Sequence, residues 1–246
     1  MLDEALKKAV LRSRYLVALC GSGMLKEYGQ LSMRDPDRAY EIEKKYGYSP
    51  EEMFTSSFYS TRPDRFFEFY RNEILAGEGC PGEAFYHLAD LSKCGKLKCV
   101  ITNNVYSYPE KAGCENVVSL HGDIENNYCP HCKEKYPKEY ILASKNAPRC
   151  SKCGALLRPG LIFFGQTVDN ALMSRATAEV SKADILLVIG SSLRFEPARQ
   201  YARYFEGDHL IVINPVSDYS DRQADLVINE PIADTLKKIS EWVEEA

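Results

Sequence analysis

Short apolar runs alternate with amphipathic segments along most of the chain. Runs rich in Val, Ile and Leu predict buried strands at 15–20, 98–102, 117–120, 184–190, 209–213 and 225–228. Apolar residues at helical spacing predict helices over 3–14, 82–93, 170–182, 197–205 and 232–245. Strands this apolar are typical of a parallel sheet that is covered by helices on both faces. The alternation therefore predicts an α/β fold with a doubly wound parallel sheet.

Two segments interrupt the alternation. Residues 31–78 are rich in Tyr, Phe, Glu and Arg, and Pro36, Pro50 and Pro63 divide them into short helices. Residues 126–157 contain two Cys-x2-Cys pairs. We expect a helical excursion and a zinc-binding module, which together form a small lobe above a Rossmann-like domain. That domain is expected to comprise residues 1–30, 79–125 and 158–246. A ligand cleft would lie between sheet and lobe, at the carboxyl ends of the strands.

The cysteine pairs carry the strongest chemical signal. Cys129-Pro-His-Cys132 and Cys150-Ser-Lys-Cys153 are separated by seventeen residues, a spacing typical of one four-thiolate zinc site. Four thiolates complete a tetrahedral shell and leave no open position for water, so the Zn²⁺ is expected to be structural. Two disulfides or four unpaired thiols are the alternatives. His131 lies inside the first pair, but four cysteines make it unnecessary as a ligand.

Composition narrows the classes of function. The 246 residues are 45% hydrophobic and 27% charged, which is typical of a globular enzyme. A net charge of −4 gives no electrostatic argument for nucleic acid or anionic membranes as partners, so direct nucleic-acid binding is not expected. The sequence shows neither a signal peptide nor a membrane span, and nine cysteines then favour a reducing cytoplasm. Small buried side chains are expected at Cys20, Cys80, Cys94, Cys99 and Cys114.

Two glycine turns directly follow predicted strands, at 21–23 and at 190–192. Glycine permits a tight turn and lets backbone N–H groups approach a phosphate. The third glycine, Gly29, does not fit the G-x-G-x-x-G spacing, so the simple dehydrogenase pattern is absent. A tight turn without a ligand is the alternative for either segment. Two such turns in one sheet favour a dinucleotide.

Polar residues follow two other predicted strands. His121 precedes a glycine, and an imidazole with a pKa near 6.5 can accept a proton at neutral pH, so His121 is a candidate general base. Asn103 and Asn104 offer amides suited to orienting a ribose or a water molecule. The alternatives are a histidine hydrogen-bonded into the structure and ordinary turn chemistry.

In content and order these motifs resemble sirtuins, over roughly Leu6 to Leu236. The matching segments are 102-TNN-104, 120-LHG-122, 158-RPGLIFFG-165, 190-GSSL-193, 213-IN-214 and 224-ADLVI-228. Sirtuins are NAD-dependent protein-lysine deacylases that bind NAD between a Rossmann-like domain and a zinc-bearing lobe. The resemblance implies NAD as co-substrate, structural Zn²⁺, an acyl-lysine protein or peptide as partner, and nicotinamide and O-acyl-ADP-ribose as products.

The resemblance also implies roles for individual residues. His121 corresponds to the catalytic base, and Asn104 to the catalytic asparagine that orients ribose and water. Cofactor contacts are implied for Gly21, Ser22, Gly23, Arg34, Asn103, Asn104, Tyr106, His121, Gly190, Ser191, Ser192, Asn214 and Ile232. Contacts with the backbone of the substrate are implied for Phe164, Gly165 and Gln166.

The chain departs from the sirtuin pattern around the nicotinamide pocket. The family's Pro-Asp-Phe is replaced ahead of Arg34, and Tyr106 replaces the aspartate that holds the nicotinamide carboxamide. A phenol can still form hydrogen bonds, but it is larger and is neutral at pH 7. A protein ADP-ribosyltransferase on the same fold and a non-catalytic NAD or ADP-ribose binding module remain alternatives. Tyr59 and Arg62 have the spacing of an acyl-reading pair, but we expect a surface or core-edge segment there.

Overall fold

A six-stranded parallel sheet organises the fold of the computed structural model, which describes residues 2–30, 33 and 35–246. The strands of the described residues are β1 (Leu16–Cys20), β2 (Leu97–Thr102), β3 (Val117–Ser119), β4 (Asn127–Tyr128), β5 (Lys135–Tyr136), β6 (Ile185–Ile189), β7 (His209–Ile213) and β8 (Leu226–Ile228). Of these, β4 and β5 form a separate antiparallel pair. The large sheet has the order β3-β2-β1-β6-β7-β8, and all its neighbours are parallel. The strand order reverses between β1 and β6, which creates a topological switch point. The predicted doubly wound sheet is confirmed.

Helices cover both faces of this sheet. The helices of the described residues, including those of the lobe, are α1 (Leu2–Arg12), α2 (Gly23–Lys26), α3 (Pro36–Tyr46), α4 (Pro50–Met53), α5 (Ser56–Thr61), α6 (Pro63–Phe69), α7 (Glu83–Lys93), α8 (Tyr108–Ala112), α9 (Lys138–Ala143), α10 (Asn170–Lys182), α11 (Ala198–Ala202) and α12 (Ile232–Glu244). A π-helical segment follows α6 at Tyr70–Leu75, and a 3₁₀ segment lies at Tyr219–Gln223. No helix in the described part of the chain is long and apolar enough to cross a membrane.

Both faces of the central strands are buried because successive side chains point to opposite sides. Leu19 and Val188 belong to the cluster that contains Val180 of α10. Ala18 and Leu187 belong to the other cluster, which contains residues of α1, α7 and α12. All five residues of β1 and all five of β6 are buried, as the continuous apolar runs predict.

Prolines mark three helix starts within the 31–78 excursion. Pro36, Pro50 and Pro63 are the first residues of α3, α4 and α6. Proline is favoured there because the first helical N–H has no partner within the helix. Asp35 and Ser49 cap two of these helices through their side chains, accepting from backbone N–H groups at 3.3 and 3.2 Å. The predicted division into short helices is confirmed.

The excursion packs against the zinc-binding segment. The Tyr59 hydroxyl donates to Leu157 O at 3.0 Å, and the Ala147 N–H donates to Asp64 Oδ1 at 2.8 Å. Beyond the zinc-binding segment, the Phe163 ring also packs on the excursion, 5.1 Å from the Phe54 ring between centroids. These contacts make one lobe of two segments that are distant in sequence.

Some local predictions were wrong. The helix predicted over 197–205 ends at Ala202, because the N–H groups of 203–205 donate to carbonyls only three residues back. Cys80 and Cys94 are exposed rather than buried. Cys80 lies in an irregular segment before α7, and Cys94 lies just past the C-terminus of that helix. Four short elements were not predicted, because none of them is long enough to show an apolar periodicity: β4, β5, α8 and α9.

Candidate functional site

The two glycine turns pack backbone against backbone at the switch point. The Gly21 N–H donates to Ile189 O and the Gly23 N–H donates to Gly190 O, both at 2.8 Å. A Cβ atom at Gly23 would lie 2.5 Å from Gly190 O, and one at Gly21 would lie 2.6 Å from the same oxygen. Gly190 has φ +61° and donates to Ile213 O at 2.9 Å. Glycine is therefore required at these positions, and the turns join the carboxyl ends of β1, β6 and β7.

The end of β2 is bound to the same turn through Asn104. Its side-chain amide donates to Gly21 O at 3.2 Å, and its backbone N–H donates to Thr102 Oγ1 at 3.0 Å. Asn104 is buried and held in one orientation. Neighbouring Asn103 differs, because its Oδ1 is buried and has no hydrogen-bond partner among the described residues. A buried acceptor left unpaired costs about 1–3 kcal/mol, so Asn103 Oδ1 marks a place where a ligand donor fits.

A cavity of about 210 Å³ lies between these strand ends and the lobe. Its lining residues are Ser22, Leu25, Met33, Arg38, Phe54, Ile74, Asn103, Asn104, Val105, Tyr106, His121, Leu161, Ile162 and Phe164. Most of the wall is apolar, and a few polar groups converge on it, which is typical of a small-molecule site. The structure thus brings together Ser22, Asn103, Asn104, Tyr106, His121 and Phe164 of the predicted site residues.

His121 reaches the cavity from the end of β3. Its carbonyl accepts from the Ile162 N–H at 3.0 Å. The next residue, Gly122, has φ +74°, and a Cβ atom there would lie 1.9 Å from Gly160 O. The backbone around His121 is therefore fixed by two close contacts with the 160–162 segment. This arrangement explains the His-Gly pair and places the imidazole in the cavity wall.

Phe164, in the turn at 163–166, lines the cavity. The Phe164 N–H donates to Phe54 O at 2.9 Å, which connects the turn to the excursion. The Gln166 side-chain oxygen accepts from the Phe163 N–H at 2.9 Å and closes the turn. Gly165 is exposed and has φ +81°. The turn is therefore braced internally, and its Gly165 and Gln166 are exposed.

The residues predicted to contact the cofactor after β6 and β7, and Ile232 at the start of α12, are not among the residues that line the cavity. Ser192 is buried and accepts from the Arg194 N–H at 3.1 Å, so its hydroxyl braces the turn. Ser191 is half-buried beside it. Asn214 donates from its side-chain amide to Val216 O at 2.9 Å. The Ile232 side chain lies in the core with 0% exposure, so only its backbone is available to a ligand.

The four paired cysteines converge in the small lobe. All four Sγ atoms lie within 4.8 Å of one another, with Cys129–Cys153 at 3.4 Å and Cys132–Cys150 at 3.5 Å. Tetrahedral Zn²⁺ with Zn–S bonds of about 2.3 Å requires sulfur separations of about 3.8 Å, so the residues fit the ion. The Tyr136 hydroxyl donates to Cys150 Sγ at 3.1 Å and orients that ligand.

Comparison with known proteins identifies the family. The model of the Sir2 family matches residues 21–197. The chain belongs to the Sir2 family. An NAD-dependent protein deacetylase of Clostridium acetobutylicum is 34% identical over 235 residues, which cover 95% of this chain and 96% of the relative. NAD-dependent protein deacylase 1 of Archaeoglobus fulgidus is 34% identical over 251 residues, which cover 97% and 100%.

Solved Sir2 structures have the same fold as this chain. A Sir2 homolog in complex with NAD superposes with a TM-score of 0.85 at 30% identity, covering 100% of this chain and 95% of that one. A Sir2 complex with a p53 peptide and NAD⁺ gives a TM-score of 0.83 at 27% identity, with full coverage of both chains. The predicted family and fold are confirmed.

Sequence reasoning about this Sir2-family chain missed Arg38, which lines the cavity from α3. No motif marks it, since one arginine among many charged residues of the excursion carries no signal. Arg34 lies outside the described residues. The Tyr59 hydroxyl binds Leu157 O, and the Arg62 guanidinium lies over the Phe58 ring, 5.4 Å from its centroid. Neither is among the cavity-lining residues, which agrees with the expected surface or core-edge segment.

Proposed function

We propose that this chain is an NAD-dependent protein-lysine deacylase whose reaction takes place in the 210 Å³ cavity. The observation that carries the proposal is the convergence of His121, Asn103 and Asn104 on one cavity at the topological switch point. The turns that bear Gly21 and Gly190 adjoin it. The proposal is also supported by relatives that match nearly the whole chain and are named NAD-dependent protein deacetylase or deacylase.

The residues present fit NAD. The glycine turns at 21–23 and 190–192 offer close backbone approach to a pyrophosphate, and the unpaired Asn103 Oδ1 is suited to a ribose hydroxyl. Ser191, Ser192 and Asn214, with the backbone of Ile232, would surround the adenosine, and Arg34 would contact the phosphates. NAD, when bound, supplies an ADP-ribosyl group with nicotinamide as the leaving group.

In this proposal His121 accepts a proton from a ribose hydroxyl, which makes that oxygen a better nucleophile. General-base catalysis of this kind contributes about 10²–10⁴-fold. Asn104, held by Gly21 O and Thr102, orients the ribose and the attacking water. The exposed edge at Phe164, Gly165 and Gln166 pairs with the backbone of the acyl-lysine peptide as an added strand.

The zinc site would support the lobe and take no part in bond making. Four cysteine ligands saturate the ion, so it cannot activate water. We divide the chain into a Rossmann-like domain (1–30, 79–125 and 158–246), a helical excursion (31–78) and a zinc-binding module (126–157). We also propose a cytoplasmic location, because none of the nine cysteines forms a disulfide and four of them are suited to bind zinc, which fits a reducing compartment.

A product assay tests the function. The purified chain is incubated with NAD and acetyl-, butyryl- and longer acyl-lysine peptides, and nicotinamide and O-acyl-ADP-ribose are quantified by mass spectrometry. We expect both products to form in equal amounts and to fall at least 100-fold in His121→Ala. The control is His87→Ala, since His87 Nδ1 lies 3.3 Å from Ser240 Oγ, outside the cavity. Full product formation by His121→Ala would refute the mechanism.

The same assay separates the alternatives. An ADP-ribosyltransferase on this fold would release nicotinamide and transfer label from NAD to protein without consuming an acyl-peptide. A binding module would retain NAD or ADP-ribose and release nothing. Both alternatives are considered because of Tyr106, which lines the cavity and replaces an aspartate of the family pattern.

A further inference from the structure

The turn that follows β6 leaves two backbone N–H groups without a partner. The Gly190 N–H donates to Ile213 O at 2.9 Å, and the Arg194 N–H donates to Ser192 Oγ at 3.1 Å. Within the described part of the chain, the N–H groups of Ser191 and Ser192 form no hydrogen bond. Successive unpaired N–H groups in a tight turn can bind an anion or another acceptor. The shape of the turn decides where these two donors point.

Asp221 holds this turn from a neighbouring loop. Its Oδ1 accepts from the Leu193 N–H at 2.8 Å, so the residue directly after the two unpaired N–H groups is fixed by a side chain. Asp221 lies in the 3₁₀ segment Tyr219–Gln223, which follows β7. Asp218 caps that segment by accepting from the Ser220 N–H at 2.9 Å. The loop after β7 thus braces the turn after β6.

A second contact joins the same two loops, but it is weaker. Arg194 Nη1 lies 4.0 Å from Asp218 Oδ2, and the Arg194 side chain is largely exposed. Exposed ion pairs contribute little to stability. The Asp221 side chain, in contrast, is 1% exposed, and a hydrogen bond to a buried carboxylate is charge-assisted. Asp221 is therefore the main support that the β7 loop gives to the turn.

The position of the Asp221 carboxylate is unfavourable for the stability of the fold. Its Oδ2 is buried and has no hydrogen-bond partner among the described residues. Burial raises the pKa of Asp221, because the charged form loses its hydration, and the nearby Asp218 carboxylate raises it further. A buried charge without full compensation destabilises a protein. Residues that break a rule of stability in this way are expected at functional positions.

We propose that Asp221 is a positioning residue for the dinucleotide: by holding the Leu193 N–H, it fixes the direction of the Ser191 and Ser192 N–H groups and so sets the affinity for the ADP-ribose part of NAD. The inference rests on the proposed function in taking the turn after β6 as a cofactor contact. Because the Asp221 side chain is buried, it acts through the turn and does not touch the ligand. A residue that acts on binding alone changes KM for NAD and leaves kcat unchanged.

Two substitutions at Asp221 and one control test this role in the purified full chain. Asp221→Ala removes the acceptor, whereas Asp221→Asn keeps an acceptor oxygen and removes the charge. The control is Asp225→Ala, since Asp225 Oδ2 also accepts from a backbone N–H, that of Leu210 at 2.7 Å, but at the start of β7. Calorimetry measures the affinity for ADP-ribose without turnover, and the product assay gives kcat and KM for NAD. Thermal unfolding shows which variants are folded.

We expect ADP-ribose affinity to fall about 10-fold in Asp221→Ala, since a hydrogen bond to a charged group contributes at least that much. KM for NAD should rise by the same factor while kcat stays unchanged. Asp221→Asn should recover most of the affinity, and Asp225→Ala should retain all of it. Unchanged affinity in a folded Asp221→Ala, an equal loss in Asp225→Ala, or a loss confined to kcat would overturn the inference.

A measurement on the wild type decides the inference if Asp221→Ala fails to fold. Amide hydrogen exchange is followed by NMR with and without ADP-ribose. The Leu193 N–H should be protected in the free protein, and ADP-ribose should slow exchange at Ser191 and Ser192. Unchanged exchange at both serines, or no binding of ADP-ribose, would overturn the inference. Binding of ADP-ribose without nicotinamide release from NAD and any acyl-peptide would refute the proposed function instead, and the calorimetric comparison would still decide the role of Asp221.

Discussion

The two ends of the cleft are built in different ways. At the sheet end, Gly21, Gly23 and Gly190 pack backbone on backbone, and no side chain fits between them. At the end that faces the lobe, here called the lobe end, side chains such as Arg38 of α3 and Tyr106, which follows β2, form the wall. Positions in close backbone contact accept only glycine. Positions whose side chains line the cavity can be substituted, with a change of charge or size, while the fold is retained. Two of the departures from the sirtuin pattern, Met33 and Tyr106, line the cavity, where we expect substitution to alter ligand preference without disturbing the sheet.

Removing zinc should have the largest effect, and it should affect the lobe but not the sheet. Structural Zn²⁺ contributes about 10–16 kcal/mol of apparent binding free energy in zinc-finger peptides, so the 126–157 module should unfold without it. We expect a chelator to abolish deacylation and to remove amide-exchange protection from the module. The sheet strands should keep their protection, because both of their faces are buried in separate clusters. A zinc-free protein with a protected module would contradict the structural role.

Gly23→Ala should damage the sheet end directly. The added Cβ atom would lie 2.5 Å from Gly190 O, so backbone must move. We expect a loss of about 1–3 kcal/mol in the free energy of unfolding and a weakening of ADP-ribose binding by at least 10-fold. Denaturant unfolding and calorimetry measure the two effects.

A matched control lies in the same segment. Gly29 has φ +75°, and a Cβ atom at this position would have no other atom within 4 Å. Gly29→Ala should therefore cost about 1 kcal/mol of backbone strain and leave ADP-ribose affinity unchanged. Equal losses of affinity in the two variants would show that the close packing of Gly23 against Gly190 is not what matters.

Asn103→Ala should have the smallest effect on stability and sharpen the comparison. The variant removes a buried acceptor that has no partner in the described part of the chain. We expect the free protein to be unchanged or more stable by about 1 kcal/mol, while NAD affinity falls several-fold. Asn104→Ala provides the contrast, since it removes the hydrogen bond to Gly21 O and should destabilise the free protein. Equal destabilisation by both changes would show that Asn103 is paired.

Residues at strand ends could be predicted from sequence because the carboxyl ends of parallel strands meet at one edge. His121, Asn104 and the glycine turns follow apolar runs, and their convergence needs only the strand order. Cysteine spacing similarly predicts the zinc ligands. Ile232 shows a limit, because its place in the sirtuin pattern does not reveal that its side chain is buried in the core.

The lobe end could not be predicted in the same way. Arg38 reaches the cavity through the packing of α3 against the π-helical segment that contains Glu73, and no local pattern encodes that contact. The same limit applies to Cys80 and Cys94. Cysteine is usually a buried residue type, but both side chains are exposed here. Long-range packing of short helices, rather than periodicity, decides which side chains face the cavity.

The central claim is that one cleft has a family-like sheet end and a divergent lobe end. Calorimetry with ADP-ribose and with nicotinamide, on wild type and Tyr106→Asp, tests it most directly. ADP-ribose affinity should be the same in both proteins, because the contacts that we propose for it lie at the glycine turns, whereas nicotinamide affinity should rise severalfold in Tyr106→Asp. A change in ADP-ribose affinity as large as that for nicotinamide would contradict the division of the cleft into two independent ends.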